Sequence, residues 1–392
     1  MINVGIDVGK FKHCFSVIDD KTGEVLIKPT FIENNNDGFN ELYLKIKPYL
    51  NRKHAVGMED TGHYMINLTN FLLDKKVNVR YINPRTTSLR RKELGWTAKN
   101  DKKDSLLIAG LLSDKVYWRS ISKKTMIIDK LKEMMRIYHQ LKEQQNQDMN
   151  RLQKALDIVY PEVNKLSWVR YTKPYMAILK AFPSAYIIAN TDIRNLRKAL
   201  DIKGKGRKSS LSAEDLKLSA SQSIGDKDNI AIEMEVKLLI SLIEERERQI
   251  SELKLKIEEF ATKLNSPITS IPGIGLIAGM TILAEIGDIS RFDDSSKLIA
   301  FAGMAPRVAE SGEYQASHLP ITKHGSRYLR KALYQAIFTV CNYEPTYKKY
   351  YTSKIDQGKS HRCAQGHCVR KLLRLIYKLL STNTFYKIEL CK

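Results

Sequence analysis

The chain has 392 residues, 43% of them hydrophobic, which is enough for two or three domains. Lysine and arginine number 65 against 43 aspartate and glutamate residues, so the formal net charge is +22. This excess predicts a polyanionic partner, nucleic acid first, although some intracellular proteins are basic without binding it. The sequence shows no membrane-spanning apolar run and no signal-peptide pattern, and its five cysteines do not suit a secreted disulfide scaffold. These features predict a cytoplasmic protein.

Residues 1–120 are expected to form an α/β domain with a mixed sheet. The segments "NVGIDVGKFKHCFSVID" and "GEVLIKPTFIE" have the Val, Ile and Phe content of strands and are joined by a turn at Gly23. Two shorter strands, "HAVGMED" and "VNVRYINP", alternate with helical patterns, the last of which is "KNDKKDSLLIAGLLSDK". A hairpin followed by alternating helices and strands is typical of such a sheet.

Residues 121–264 are expected to form a helical coiled coil. The segments "IDKLKEMMRIYHQLKEQQNQDMNRLQKALDIV" and "IAIEMEVKLLISLIEERERQISELKLKIEEFATKL" contain no glycine or proline and repeat apolar residues mostly at three- and four-residue steps. They flank a less regular segment of about residues 167–228, which contains the basic stretch "DIKGKGRKSS". We therefore expect an antiparallel helix pair with an inserted basic segment at its tip.

Residues 265–392 are expected to form a mainly α-helical domain. Its opening "SIPGIGLIAGMTILAEIG" resembles a helix-hairpin-helix, in which Gly273 and Gly275 expose backbone N–H groups to a phosphate. The alternative is a tight turn between two core helices. Two basic amphipathic helices follow, in "SRYLRKALYQA" and "VRKLLRLIYKLLSTN". The intervening "HRCAQGHC" does not have the spacing of paired zinc ligands.

Four acidic residues of the first domain are candidate catalytic residues. Asp7 lies within an apolar strand, where an unpaired carboxylate costs free energy. Glu59 ends a predicted strand, and a solvated strand-end acid is the alternative interpretation. Asp101 and Asp104 lie three residues apart at the start of a helix and share one face, although the helix dipole alone also favours acids there.

Together these four carboxylates predict a site for Mg²⁺ or Mn²⁺. Clustered carboxylates repel one another, and a divalent cation that prefers oxygen ligands neutralises that repulsion. Two such ions about 4 Å apart can activate a nucleophile and stabilise a leaving oxygen in phosphodiester chemistry. Four lysines near these acids would attract the phosphate: Lys10, Lys99, Lys102 and Lys103.

The motifs "GIDVGK", "MEDTGHY" and "AKNDKKDSLLIA" resemble those of the DEDD-type transposases of insertion-sequence family 110, including its 1111 subgroup. The segments "SIPGIGLIAGMTILAEIGDISRFDDSSKLIAFAGMAP" and "SGEYQASHLPITKHGSRYLR" resemble the second domain of that family. The resemblance implies that residues 1–120 form a RuvC-like domain of the RNase H-like fold. It also implies that the metal ligands of that domain are Asp7, Glu59, Asp101 and Asp104.

The resemblance implies a second catalytic centre as well. The "SG" serine of the family corresponds to Ser311, which would attack DNA and form a covalent phosphoserine intermediate. From the residues alone, a serine before a glycine is usually a turn residue. In the family this serine can reach the acidic site of another protomer, so a homo-oligomer, a dimer or a tetramer, is expected.

The expected nucleic-acid partners also follow from the resemblance. A structured bridge RNA would guide the enzyme to its substrates, which are the ends of the element and the target DNA. In the C-terminal domain, Lys323, Arg327 and Arg330 would hold phosphates or the RNA backbone, or else form a solvated basic helix face. The protein would then work at the nucleoid of a bacterial cytoplasm.

Two other functions fit parts of the sequence. A RuvC-like junction nuclease that cuts without joining would need the four acids but not Ser311. A non-catalytic nucleic-acid-binding scaffold would need the charge and the coiled coil but none of the acids. Metal-dependent cleavage separates the enzymes from the scaffold, and a covalent protein–DNA adduct separates the recombinase from the nuclease.

Overall fold

The computed structural model describes residues 1–51, 53–60, 62–96, 100–166, 170–200, 211–306, 310–311, 314–315 and 321–387. The chain divides into two compact units. Unit 1 comprises Met1–Lys130 and Ile286–Phe301, and unit 2 comprises Leu131–Glu285 and Ala302–Lys392. Short 3-10 helices in both units cover Lys47–Tyr49, Lys115–Tyr117, Pro161–Lys165, Pro267–Ser270 and Ile289–Arg291.

Unit 1 contains a six-stranded mixed sheet. Its strands are β1 (Ile2–Val8), β2 (Lys12–Asp19), β3 (Val25–Glu33), β4 (His54–Glu59), β5 (Val79–Ile82) and β6 (Trp118–Ile121). Their order across the sheet is β3-β2-β1-β4-β5-β6. Strands β1 to β3 are antiparallel neighbours, β4 and β5 run parallel to β1, and β6 is an antiparallel edge strand. The sheet therefore combines a meander with the parallel strands that helical crossovers connect.

Helices cover both faces of this sheet, which explains why β1 is apolar almost throughout. The helices of unit 1 are α1 (Asn36–Ile46), α2 (Met65–Asp74), α3 (Pro84–Glu93), α4 (Asp101–Leu111) and α12 (Ser295–Phe301). Ile6 of β1 shares a core with Leu42 of α1 and Leu68 of α2. Gly5, whose position points to the other face, lies against the backbone of α4.

Two long antiparallel helices, α5 (Lys123–Val159) and α10 (Ile230–Leu264), carry the central part of the chain. Arg246 Nε of α10 donates to Asp148 of α5 at 2.5 Å, and Arg151 of α5 donates to Glu235 of α10 at 3.2 Å. Residue numbers therefore rise along one helix as they fall along its partner. Both helices contribute to one apolar core through Leu152, Leu156, Val159, Val236, Leu239, Ile240 and Ile243.

The segment between these helices folds onto the same core. It contains α6 (Lys173–Ala181), α7 (Ala185–Asn190), α8 (Ile193–Leu200) and α9 (Ala213–Ser221). Tyr160 and Tyr175 are fully buried in this core, where burial raises the pKa of Tyr160 to about 12. The basic stretch at residues 201–210 lies outside the described residues.

In the described residues of the C-terminal third, the secondary structure is helical apart from one short hairpin and one isolated bridge. Its helices are α11 (Leu276–Ile286), α13 (Arg327–Tyr343), α14 (Pro345–Asp356) and α15 (His361–Thr382), and the hairpin is β7 (Glu310–Ser311) with β8 (Tyr314–Gln315). Gly273 has a positive φ of 87°, and a Cβ there would lie 2.6 Å from the backbone nitrogen of Val340 in α13. Close packing against α13 therefore explains why a glycine stands at position 273, and this explanation needs no bound phosphate.

The predicted fold class, a mixed sheet followed by long helices and a mainly helical C-terminal part, is confirmed. The sequence-based prediction did not include the polar helix α3 or the four-residue edge strand β6. The "HRCAQGHC" segment forms the first two turns of α15, which begins eight residues before the predicted basic helix. Its Ser360 cap accepts a hydrogen bond from the backbone N–H of Cys363 at 3.4 Å.

Candidate active site

Asp7 and Glu59 occupy equivalent places on adjacent parallel strands. Ile6 of β1 pairs with Met58 of β4, and each acid is the next residue along its strand. Both side chains are half-buried. Residues at matching positions on neighbouring strands of a sheet lie about 4.8 Å apart. Asp7 and Glu59 therefore lie on neighbouring strands at the carboxyl ends of β1 and β4.

The third acid, Asp104, reaches this edge because α4 lies directly on β1. A Cβ on Gly5 would lie 2.1 Å from the carbonyl oxygen of Ser105, so only glycine permits this approach. The Sγ of Cys14, which is paired with Asp7 across the β1–β2 ladder, lies 3.8 Å from the Ser105 hydroxyl. Asp104 precedes Ser105 and is 2% exposed. The helix start therefore lies beside the strand end that carries Asp7.

Helix α3 holds two of the acids from a third direction. The Thr87 hydroxyl lies within hydrogen-bond reach of Glu59 and of the Pro84 carbonyl oxygen, and Arg91 Nε donates to Asp104 Oδ1 at 3.0 Å. Thr87 and Arg91 are four residues apart and so face the same side of α3. Sequence reasoning missed both residues. The signal was the basic stretch "PRTTSLRRKE" between a strand end and the two helical acids, which begins with a proline after the Asn83 cap.

The electrostatics of Cys14 link Asp7 with the fourth acid. Burial raises the pKa of the Cys14 thiol, and the negative charges of Asp7 and Asp101 raise it further, while the hydrogen bond of the thiol to the Ser105 hydroxyl and the charge of Lys102 lower it. Asp101 is exposed at the first turn of α4, three residues before Asp104. Both charges therefore act on one thiol at this edge of the sheet.

The donor chemistry of these residues fits a divalent cation. Asp104 Oδ2 is buried and has no hydrogen-bond partner among the described residues, although a buried carboxylate oxygen normally has one. Four carboxylates are the hard oxygen donors that Mg²⁺ and Mn²⁺ prefer. Within the part of the chain that the structure describes, however, no three His, Cys, Asp or Glu side chains are grouped tightly enough to hold an ion.

Ser311 lies in the β7–β8 hairpin of unit 2, where it pairs with Tyr314. The chain leaves for this hairpin at Pro306 and returns at Ile321, and those two residues form an isolated antiparallel bridge. The bridge is extended by hydrogen bonds from Thr322 N to Ala305 O and from Lys323 N to Gly303 O, at 2.9 and 3.1 Å. Paired backbone therefore closes the base of the segment that carries the predicted nucleophile.

Two family models match the chain at both ends. A model described as a transposase, named for the DEDD transposases of IS110, matches residues 4–161. A second, described as the transposase IS116/IS110/IS902 family, matches residues 265–352. Together the two matches cover more than half of the chain. The chain belongs to this transposase family.

Individual proteins are similar to this chain over different lengths. The IS110 family member is 30% identical over 128 residues to an uncharacterized 43.6 kDa protein of insertion element IS110 from Streptomyces coelicolor, a match that covers 32% of this chain and 31% of that protein. It is 26% identical to the pilin gene-inverting protein of Moraxella bovis over 97% of this chain and 96% of that protein. A RuvC from T. thermophilus, solved with a Holliday junction substrate, is 14% identical with a TM-score of 0.24 and is matched over 31% of this chain and 99% of its own. As a transposase, the protein is an enzyme that cleaves and rejoins DNA.

The lysines predicted around the acids have aromatic neighbours in this IS110 family member. Lys10 Nζ lies 4.9 Å from the ring centre of Phe11, and Lys103 Nζ lies 5.3 Å from that of Trp96. Lys102 Nζ lies 6.0 Å from the ring centre of Phe31. All three lysines are exposed, whereas Lys99 lies outside the described residues. They are therefore accessible to a phosphate backbone beside the acids.

The predicted basic residues of the second domain have separate settings. Lys323 is exposed in the loop before α13. Arg327 Nη2 lies 3.9 Å from Glu143 and donates to the Tyr328 hydroxyl at 3.1 Å. Arg330 donates to backbone carbonyls of the same loop. Among the helices that the structure describes, none is long and apolar enough to cross a membrane.

Proposed function

We propose that the protein is the DNA recombinase of an insertion sequence, with an acidic centre in unit 1 and a serine nucleophile, Ser311, in unit 2. The main support is that Asp7 and Glu59 end adjacent parallel strands, and that the close packing of α4 on Gly5 brings the helix that starts with Asp101 and Asp104 onto β1. A buried carboxylate oxygen of Asp104 that has no partner among the described residues is costly unless a ligand satisfies it.

The acidic centre is proposed to use Mg²⁺ or Mn²⁺ held by Asp7, Glu59, Asp101 and Asp104. When bound, the ion would neutralise negative charge on the scissile phosphate. The protein side chains position this site: Thr87 orients Glu59, and Arg91 offsets the charge of Asp104 until a cation arrives. The exposed Lys10, Lys102 and Lys103 would hold the phosphates on either side.

The covalent step exchanges one phosphate ester for another. The Ser311 oxygen attacks phosphorus and forms a new P–O bond while the bond to one deoxyribose oxygen breaks. The proton of the serine hydroxyl leaves to a base, and the departing oxygen takes up a proton to become a hydroxyl. Because one ester replaces another, a second DNA hydroxyl can reverse the exchange and join a new partner without any nucleotide cofactor.

The substrates are proposed to be the element ends and the target DNA, with a structured guide RNA as partner. The net charge of +22 suits a protein that binds a large amount of phosphate backbone. In such a complex base pairing specifies sequence, while the protein contacts backbone and shape. The enzyme would then act on the nucleoid in the cytoplasm.

We propose a homo-oligomer in which Ser311 of one protomer serves the acidic centre of another. The test is a mixture of two inactive proteins, Ser311→Ala and Asp104→Asn, assayed against each alone. Activity restored only in the mixture supports a shared centre. A mixture as inactive as its components overturns it.

The proposed function is tested by trapping the covalent intermediate. The protein is incubated with Mg²⁺, RNA from its element end and labelled DNA, then denatured and examined for a protein–DNA adduct. Ser311→Ala and Asp104→Asn should both abolish the adduct. Ser381→Ala and Asp37→Asn, at exposed positions elsewhere, are the matched controls and should leave it intact.

Three outcomes of this assay decide between the candidate functions. An adduct that depends on both residues supports the serine recombinase. Cleavage that survives Ser311→Ala without any adduct would leave a metal-dependent junction nuclease. Nucleic-acid binding without cleavage under any condition would leave the non-catalytic scaffold.

A further inference from the structure

A cavity of about 1040 Å³ lies between α13 and the start of α15 in unit 2. Its lining is strongly basic. Two of the cations lie on α13, two lie on α15, and one lies in each of the loops that precede these helices. The six basic residues are Lys323, Arg330, Lys331, Lys359, Arg362 and Arg370. No carboxylate belongs to the described lining, so the field inside the cavity is positive.

The cations of this cavity are not neutralised by the described part of the protein. None of the six lies within ion-pair distance of an Asp or Glu among the described residues, whereas all four arginines of α5 and α10 are paired. Arg362 lies over the Tyr334 ring, 5.8 Å from its centre, and Arg330 donates to the carbonyls of His324 and Gly325. Like charges held together without counter-ions destabilise a fold, so an anionic ligand would stabilise this arrangement.

The titration of His367 reports the same field. Burial lowers the pKa of this imidazole, and the positive charges of Arg370, Lys354 and Lys359 lower it further. Arg370 Nη2 lies 3.1 Å from His367 Nδ1, in a geometry that suits a neutral imidazole accepting the bond. The positive charges around the cavity therefore favour the neutral form of His367.

The cavity adjoins the base of the segment that carries Ser311. Pro306 and Ile321, which form the bridge at that base, both belong to its lining. The return strand leads through Lys323 to the Ser326 cap of α13, so the loop and the helix start are fixed to each other. Gly303 makes this possible, because a Cβ there would lie 2.1 Å from the carbonyl oxygen of His324.

We propose that this cavity is a clamp for consecutive backbone phosphates of a nucleic-acid strand at the foot of the Ser311 segment. Its volume is at the upper end of that of sites for drug-sized ligands, which suits two or three nucleotides better than one phosphate. Guanidinium groups bind phosphate oxygens in pairs, and three arginines line the cavity. Phosphate contacts fix position without reading sequence. The inference rests on the proposed function, since it places this clamp beside the nucleophile.

The test is a thiol footprint in the Ser311→Ala protein, where no covalent chemistry interferes. Cys363 is an exposed free thiol in the cavity lining, and the half-buried Cys341 lies outside the lining and serves as the internal reference. Single-stranded DNA and RNA of the same sequence are added to saturation, as judged by fluorescence anisotropy. The alkylation rate of each thiol is then measured by mass spectrometry.

A filled cavity should slow Cys363 alkylation about tenfold and leave the Cys341 rate unchanged. Protection by DNA alone assigns the clamp to the reacting strand, and protection by RNA alone assigns it to the guide; either supports the phosphate clamp. An unchanged Cys363 rate with both nucleic acids at saturation, or failure of both to bind, overturns it. If the wild-type protein formed no covalent adduct, the proposed function would fail while the Cys363 result would still hold. The proposed function and the phosphate clamp can therefore fail separately.

A charge-matched pair of variants separates the clamp from general basicity. The double variant Arg362→Gln, Arg370→Gln should weaken nucleic-acid binding about tenfold. It should also reduce the slope of log binding constant against log salt concentration by roughly one to two, as expected for two lost phosphate contacts. Lys348→Gln with Lys349→Gln removes two exposed cations of α14 outside the lining. Equal losses in the two double variants would contradict the clamp.

Discussion

Thr87 and Arg91 lie one turn apart on α3 and hold two of the acids, Glu59 and Asp104. Glu59 comes from the end of β4 and Asp104 from the first turn of α4, so α3 joins elements that are distant in sequence. One helix face thus sets the orientation of two carboxylates. This makes α3 part of the active-site scaffold, although it contributes only one buried residue, Thr87, to the core.

Arg91→Gln should destabilise the fold in the absence of metal. Asp104 keeps 3% of its side chain exposed and would lose its ion-pair partner, whose own side chain is 21% exposed. Leaving the buried Asp104 carboxylate oxygen without this donor costs about 1–3 kcal/mol. Because a bound cation can replace the lost charge, Mg²⁺ should raise the unfolding temperature of the variant more than that of the wild type.

The matched control for Arg91 is its neighbour Arg90, which pairs with Glu93 on the exposed side of the helix. Arg90→Gln should change the free energy of unfolding by less than about 1 kcal/mol, as is usual for surface pairs. If Mg²⁺ raised the unfolding temperature of the wild type, Arg91→Gln and Arg90→Gln equally, a bound cation would not compensate for the lost charge of Arg91.

Thr87→Val should slow adduct formation about tenfold while the fold remains intact. Valine has nearly the shape of threonine but cannot donate to Glu59, so the carboxylate loses the bond that orients it. Thr87→Ser keeps the donor and should retain most of the activity. The measurement is the rate of adduct formation beside the unfolding temperature. A Thr87→Ser protein as slow as Thr87→Val would mean that packing, and not the hydrogen bond, matters here.

The strands and the long helices of this protein could be predicted because their signals are local. Val- and Ile-rich runs mark β1 and β4, and the three- and four-residue apolar repeat marks α5 and α10. Asp7 stood out for the same reason, as an acid inside an apolar strand. The pairing of β1 with β4, which sets Asp7 beside Glu59, is a tertiary contact that the sequence alone did not specify.

The role of α3 could not be predicted, because its sequence "PRTTSLRRKE" has no apolar period. Its place is fixed by two polar contacts to residues that are near only after folding, namely Thr87 with Glu59 and Arg91 with Asp104. The basic cavity escaped prediction for a similar reason. Lys331 lies on α13 and Arg362 and Arg370 on α15, and only the packing of those two helices brings their charges together.

Gly5→Ala should displace α4 and impair the acidic site. The new methyl group would lie 2.1 Å from the carbonyl oxygen of Ser105 and 2.3 Å from the backbone nitrogen of Ala109, and backbone atoms can yield only if the helix moves. Overpacking of this kind costs about 1–3 kcal/mol. Adduct formation should fall with it, because the shift moves Asp104 relative to Asp7.

Gly110→Ala, on the same helix, should change the stability of the protein in the opposite direction. A Cβ at Gly110 meets nothing within 4 Å, so the substitution should only raise helix propensity and stabilise the protein by about 0.5–1 kcal/mol. Both variants are compared by urea unfolding and by the adduct assay. A Gly5→Ala protein with unchanged stability and activity would show that α4 does not depend on contact with β1.

His13 should make the stability of unit 1 depend on pH. Burial lowers the pKa of this imidazole below its usual 6.5, and its Nδ1 accepts a hydrogen bond from the backbone N–H of Gly9 at 3.2 Å. Below about pH 6.5 the imidazole of His13 is therefore protonated in the unfolded chain but stays neutral in the folded chain until the pH reaches its lowered pKa. The free energy of unfolding should fall by up to about 1.4 kcal/mol per pH unit as the pH drops from 6.5 towards the lowered pKa.

His13→Asn keeps an acceptor for the Gly9 N–H but has no titrating group, so it should remove this part of the pH dependence. The exposed His63 supplies the control, and His63→Asn should leave the slope of the wild type unchanged. The slopes are measured by urea unfolding between pH 5 and 8. If wild type and His13→Asn lose stability in parallel below pH 6.5, a different buried group governs the acid sensitivity of unit 1, since only the imidazole of His13 distinguishes the two proteins.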